Sequence, residues 1–201
     1  MKIGPKYKIA KRLGAPVFEK TQTQKFALSQ ARGGKQQKRP GQMSDFKKQL
    51  IEKQKLRYTY GITERQLGRY VKESVEKSHQ PAALLMERLE SRLDNVVYRL
   101  GLVKTRRMAR QVVSHGHIKV NGKRYSIPSH EVKVGDIIEI RDGSRSSALF
   151  AGIGESYDGA GVPTWVTFDA KKMAGEIKSA PVSDITGRLF DVDQVLEYYS
   201  R

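Results

Sequence analysis

Cysteine is absent from the 201 residues, so disulfides, thiolate zinc sites and cysteine nucleophiles are all excluded. Long apolar runs are missing too. The longest, Ala82–Met86, is a quarter of the roughly 20 residues that a membrane helix needs. The opening stretch MKIGPKYKIAKRLG has no apolar signal-peptide core, and Gly4 and Pro5 spoil a transit-like amphipathic helix. A soluble intracellular protein is therefore expected. Aromatic residues make up 8%, with a single tryptophan, and they are not interleaved with basic residues as a single-strand reader would require. Trp165 reads as a core plug.

The chemistry of catalysis is equally scarce. Of the four histidines, His115 and His117 flank Gly116 at an expected helix end, with no carboxylate or third imidazole nearby in sequence. They read as a phosphate contact or a solvated turn rather than a metal site. Gly116 to Gly122 followed by Lys123-Arg124 lacks the Ser or Thr of a phosphate-binding loop, and Gly152-Ile153-Gly154 lacks the third glycine of a dinucleotide fingerprint. No acidic residue occurs between 95 and 130.

What is abundant is positive charge. Lys and Arg number 38 against 21 Asp and Glu, a formal +17 with a sequence pI near 10.0. Residues 1–60 hold 16 basic and 3 acidic side chains and residues 101–145 hold 10 and 4, whereas residues 146–201 hold 5 and 8. Two separated segments thus carry nearly all of the excess. Solubility needs far less charge. A polyanion neutralises such segments and releases its counterions, so nucleic acid is the implied partner.

Three stretches differ in texture. Residues 1–43 are punctuated by glycine and proline and poor in apolar residues, which predicts an extended basic arm ordered by RNA. From Ser44, a plausible N-cap, helical periodicity sets in with Phe46, Leu50 and Ile51 expected to be buried, and Gly61 expected to stop the helix. Thr63-Glu64-Arg65-Gln66 is a capping box ahead of Leu67, Tyr70, Val71 and Val75. Pro81 is expected to open one long helix to Gly101. Leu85, Leu89, Leu93, Val96, Val97 and Leu100 would face inward, and Glu87, Arg88, Glu90, Arg92 and Asp94 outward. Short strands are expected at 118–120, 124–127, 137–141 and 165–168, with loop over 143–163. The last stretch carries Leu189, Val192, Val195, Leu196 and Tyr199 at helical spacing. That apolar stripe must dock, and the helical region 44–100 is the expected place, which would make the strand-bearing part an insertion.

The most informative stretch is Thr105–Tyr125. Arg106, Arg107 and Arg110 cluster on the first turns of a short helix, backed by Met108, Ala109, Val112 and Val113. Gly116 ends it, and Ile118 and Val120 alternate into an Asn121-Gly122 hairpin turn. Lys104, Ser114, His115, His117, Lys119, Asn121, Lys123 and Arg124 complete a cationic helix-and-hairpin surface shaped for phosphate. Further candidate nucleic-acid contacts are Lys47, Lys48, Lys53, Lys55 and Arg57 on the helix after Ser44, and Arg65 and Arg69 on the next.

RLDNVVYRLG (92–101), ARQVVSHGHIKVNGKR (109–124) and VGDIIEI (134–140) resemble the small RNA-binding module of the fourth small-subunit ribosomal protein. GPKYKIAKRLG (4–14), the run from Ser44 to Gln66, PTW (163–165) and LFDVDQVLEYYSR (189–201) extend the likeness to the bacterial form nearly end to end. The resemblance implies an α+β fold, with a mostly helical first domain closed by the C-terminal helix and an inserted module of two helices and a short antiparallel sheet. The corresponding division is an arm over 1–43, a helical domain over 44–90 with 181–201, and the inserted module with its strand extension over 91–180. It also implies a structural, non-enzymatic protein of the ribosome, in the cytoplasm or an organelle. Such a protein is a primary binder of the 5′ domain of small-subunit (16S) rRNA and nucleates assembly. It touches the fifth small-subunit protein with an effect on decoding accuracy, and it lines the channel by which mRNA enters. Lys35, Lys38 and Arg39 are the nearest matches to the family's basic cluster at that channel. Many relatives hold zinc through four N-terminal cysteines; here Ile9 and Arg12 stand where two would fall, which implies the zinc-free kind, with no metal and no cofactor. The same module occurs in RNA-modifying enzymes, and a free RNA chaperone is a further alternative.

Overall fold

The basic N-terminal segment folds around apolar residues that are few but well spaced. Helix α1 (Lys6–Leu13) buries Ile9, Ala10 and Leu13, and Gly14 ends it in the left-handed conformation at φ 68°. A 3-10 turn (Glu19–Thr21) leads to α2 (Gln24–Gly33). Ile9, Ala10, Leu13, Ala15, Val17, Phe18 and Phe26 form one cluster, with Ile3, Ile51 and Tyr58 against it. The computed structural model describes residues 3–33, 43–150, 162–169, 172–181 and 189–200. Within 3–33 the expected extended arm is therefore corrected to two helices with a small core.

The chain divides into two compact units, Met1–Leu85 with Asp184–Arg201, and Met86–Ser183. In the first unit, α3 (Asp45–Tyr60) starts after Ser44 and stops at Gly61, φ 62°. Its inward face departs from expectation. Gln49, Lys53, Leu56 and Tyr60 are buried, Leu50 and Ile51 are half-buried, and Phe46 is 48% exposed against the Tyr198 ring. The reason is the partner. Helix α4 (Glu64–Lys77) follows the predicted capping box, in which Gln66 N donates to Thr63 Oγ1 and Thr63 N donates to Gln66 Oε1, each at 3.3 Å. It buries Leu67, Tyr70, Val71 and Ser74, leaving Val75 exposed.

The C-terminal helix, separated from α4 by the whole second unit in sequence and numbered α9 below, spans Val192–Tyr199 and docks on α3 by polar as well as apolar contacts. Gln49 Nε2 donates to Glu197 Oε2 at 2.9 Å, Asp191 N to Glu52 Oε2 at 3.0 Å, and Tyr199 OH to Glu64 Oε1 at 2.7 Å. Lys53 Nζ bonds Glu64 at 2.7 Å and lies 4.3 Å from the centre of the Tyr198 ring. Gln49 and Lys53 can be buried here because α9 and α4 supply partners for Gln49 Nε2 and Lys53 Nζ, while Gln49 Oε1, Gln54 Oε1 and Arg57 Nε on the same helix are left without a hydrogen bond.

Helix α5 (Pro81–Glu90) carries the chain into the second unit, and α6 (Leu93–Arg99) follows after a break at Ser91-Arg92. The single long helix expected here is thus two. The break leaves few orphan donors. Leu93 N donates to His130 O, Asp94 N to Pro128 O and Val132 N to Ser91 O, so the loop 128–132 satisfies both ends. The same turn draws Glu90, Arg92 and Asp94 inside; each is 2–4% exposed, not outward as expected.

Helix α7 (Arg106–Ser114) then precedes a five-stranded antiparallel sheet of β1 (Ile118–Val120), β2 (Lys123–Tyr125), β3 (Ile137–Ile140), β4 (Val166–Asp169) and β5 (Ala174–Ile177), in the order β2-β1-β3-β5-β4. A one-turn helix α8 (Asp142–Arg145) follows β3. Asn121 at φ 50° and Gly122 at φ 77° make the anticipated two-residue hairpin. Strand β5 was not anticipated. Leu93, Val96, Val97 and Leu100 from α6 pack with Ala109, Val112 and Val113 from α7 and Ile118, Val120, Ile138, Ile140, Trp165 and Ile177 from the sheet layer. The architecture is α+β: helices with the C-terminal helix closing them, and an inserted helix-and-sheet module.

Candidate nucleic-acid interface

Helix α7 fixes the first group of cations. Thr105 Oγ1 accepts from Met108 N at 3.1 Å as N-cap, and Ala109, Val112 and Val113 bury the opposite side. Lys104 and Arg107 are exposed beside this helix start, where free backbone donors and the dipole favour anions. Arg106 and Arg110, one turn apart on another side, bend back. Arg106 Nε donates to Asn95 Oδ1 at 2.9 Å, and its guanidinium lies 4.4 Å from the Tyr98 ring centre. Arg110 donates twice to Asp94 Oδ2, from Nε at 2.9 Å and Nη2 at 2.6 Å. Ser114 is exposed and spends its hydroxyl on Arg110 O at 2.7 Å.

The hairpin presents the second group. Lys123 and Arg124 are exposed, and Arg124 Nη2 donates to His115 O at 3.2 Å while its guanidinium covers Gly116. A Cβ at 116 would meet that guanidinium, and the residue's φ of 72° already favours glycine. Lys119 bonds Asp142 at 2.6 Å, which holds that carboxyl below its usual range. Asn121 is a tie within the module: its Nδ2 donates to Asp136 Oδ1 at 2.8 Å and its Oδ1 accepts from Ile137 N at 2.9 Å. Among the described residues, Lys104, Arg107 and Lys123 have no ion-pair partner.

His115 is exposed and its ring lies 6.0 Å from that of His117. His117 is half-buried, edge-on to Phe150, with Nδ1 2.9 Å from Ser144 Oγ. Burial, then the positive surroundings of His115, Arg141 and Arg124, hold its pKa below the ordinary histidine value. Arg141 escaped sequence reading. It lies 24 positions from His117, and only the pairing of β1 with β3, extended by Arg141 N donating to His117 O at 2.8 Å, brings the two together. Alternation through the predicted strand 137–141 was the one available signal.

In the first unit, Lys47, Arg65 and Arg69 are exposed, Arg69 near Glu73 at 3.8 Å. Lys48 is paired with Asp45 at 3.0 Å on the surface, and Lys55 with Glu52 at 2.7 Å. Lys53 is 4% exposed and bonded to Glu64; Arg57 reaches Glu64 at 3.5 Å and stacks over Tyr58 at 4.9 Å. Lys8, Lys11, Arg12, Lys25 and Arg32, on α1 and α2, are exposed cations that had not been singled out. Lys35, Lys38 and Arg39 lie outside the described residues. Among those described, no group of His, Asp and Glu could hold a metal ion, and no helix is long and apolar enough to cross a membrane.

Residues 91–138 match the S4 domain family, and residues 1–90 match the ribosomal protein S4/S9 N-terminal domain family. The chain is 42% identical over 200 residues to the small ribosomal subunit protein uS4 of Persephonella marina, covering 98% of each chain. It is 41% identical over 203 residues to that of Chromobacterium violaceum, covering 99% of this chain and 98% of the relative, and 42% identical over 204 residues to that of Levilactobacillus brevis, covering 98% of each.

Proposed function

The chain belongs to the uS4 family of small ribosomal subunit proteins, and from that membership we propose that it is a primary binder of folded small-subunit rRNA. It is a structural protein of the ribosome, not an enzyme. The observation that carries the RNA-binding reading is the unpaired trio Lys104, Arg107 and Lys123, joined by Arg124 and the two histidines, on a helix start and hairpin fixed by one apolar core. A surface ordered before binding loses little entropy when it meets a pre-shaped RNA. Lys47, Arg65 and Arg69 supply exposed charge on the helical unit. The family likeness supports docking on the 16S 5′ domain, nucleation of assembly, contact with the fifth small-subunit protein and a share in decoding accuracy. It also supports a place beside the channel where mRNA enters.

Filter binding in magnesium to an isolated 5′-domain transcript tests this. Affinity should be high and fall steeply with salt; neutralising about ten phosphates gives a slope near −9 in log affinity against log salt on a duplex. Equal affinity for random duplex DNA of the same length would refute the proposal.

A further inference from the structure

Asp94 is a carboxylate in the wrong place for a protein that needs net positive charge. It sits in the first turn of α6, 4% exposed, at the centre of the cationic half of the module. Two guanidiniums converge on it. Arg92 makes a fork with Nε to Oδ1 at 3.1 Å and Nη2 to Oδ2 at 3.0 Å, and Arg110 brings Nε and Nη2 to Oδ2. One turn earlier on α7, Arg106 is held by Asn95, whose own amide nitrogen is fixed by the backbone oxygen and Oε2 of Glu90. Glu90, 2% exposed, is in turn gripped by Arg99 at 2.7 and 2.8 Å. So α7 is pinned to α6 along one side at two points a turn apart.

Apolar packing alone would let a short helix rotate about its axis by small amounts, since Val and Ala contacts are non-directional. A planar guanidinium donating two N–H groups to one carboxylate is directional. The consequence concerns Arg107, which follows Arg106 by one residue and so points about 100° away around the helix. The setting of the two pinned arginines decides where Arg107 and the neighbouring Lys104 are aimed.

We infer that Asp94 is a specificity-determining positioning residue: it converts Arg110 from a phosphate ligand into an internal strut that aims α7, so the module reads RNA shape with fewer but better-placed cations. Asp94 sets one negative charge against two guanidiniums, so the trio keeps one formal positive charge. With Arg110 held to the buried carboxylate that charge is tied down, and Arg110 releases fewer counterions than a free arginine when RNA binds. Its charge contributes less to the sequence-independent part of the affinity, and its geometry enters the shape-dependent part.

This inference rests on the RNA-binding reading, and the experiment separates the two. Salt dependence of binding is measured on the 5′-domain transcript and on a random RNA of equal length, for the unsubstituted protein and for Arg107→Met, Arg110→Met, Arg110→Lys and Asp94→Asn. Arg107→Met should flatten the slope on both RNAs by about 0.7 to 0.9. Arg110→Met should flatten the slope less than Arg107→Met does while lowering the transcript-over-random affinity ratio several-fold. Arg110→Lys keeps the charge but not the fork, so its ratio should stay low. Asp94→Asn should steepen the slope and lower the ratio; should that variant fail to fold, the Arg110 pair decides alone, because there Asp94 keeps Arg92. In Arg110→Met, a slope flattened as much as in Arg107→Met with an intact ratio would make Arg110 an ordinary phosphate ligand and overturn the inference, as would no change in either quantity. If the unsubstituted protein shows no preference for the transcript, the proposed function fails, and the slopes on random RNA still report how far the charge of Arg110 is tied down.

Discussion

Single residues show how close packing and turn geometry differ in their visibility from sequence. Asn121-Gly122 was legible because the left-handed backbone of a two-residue hairpin is a local demand, met by local residue types. Gly175 was not. A Cβ there would lie 2.6 Å from Leu100 Cδ2 and 3.0 Å from Thr167 O, and Leu100 is far away in sequence. The glycine that weakens any reading of 174–177 as a strand is the residue that lets Leu100 close over β5. Gly175→Ala should cost about 1–3 kcal/mol by overpacking, read as a fall in the denaturant midpoint with unchanged slope. Arg106 and Arg110 make the complementary point. Residue type and spacing placed them correctly on one helix, but nothing local foretold that Asn95 and Asp94 would claim their guanidiniums.

Elements were legible where periodicity and caps agreed, as in α4 with its capping box, and in β1, β3 and α9. They were misread where tertiary partners override the pattern. The inward face of α3 runs through Gln49 and Lys53 because α9 and α4 receive them, and the break between α5 and α6 exists because the loop 128–132 bonds the freed groups. That loop offered no periodic signal. The junction of α3, α4 and α9 also has a pH signature. Partial burial alone would raise the Glu64 pKa. Hydrogen bonds from Lys53 and Tyr199, with the charges of Lys53 and Arg57, outweigh it and hold the value below 4.5. Burial, then the same bond to Glu64, pushes the Tyr199 hydroxyl far above its ordinary range. A lowered carboxyl pKa means that the unfolded chain takes up the proton first. The stabilisation is therefore complete above 4.5 and is lost as pH falls through the folded value. Tyr199→Phe removes one donor, so its acid-unfolding midpoint, followed by circular dichroism, should lie at higher pH than that of the unsubstituted protein.

For the whole molecule, charge was the most reliable guide, since a sum over the sequence needs no knowledge of contacts. Its distribution misled only where a segment rich in Lys and Arg was taken to be extended: seven apolar residues within 9–26 suffice for a cluster. A net +17 also stores self-repulsion that RNA or salt relieves. Without RNA, the thermal midpoint should therefore rise with potassium chloride over the range of concentrations in which RNA affinity falls; a flat or falling midpoint would contradict this. The two units further differ in when their sequence becomes available. Residues 86–183 leave the translating machinery as one uninterrupted stretch. The earlier-made unit lacks Val192, Val195 and the carboxylate of Glu197 until the stretch that follows the second unit has been made. Vectorial synthesis ordinarily matures the leading domain first. Here the order is inverted: the half translated first is the half completed last, and until then α3 offers its buried lysine and glutamine stripe to nascent-chain chaperones and proteases.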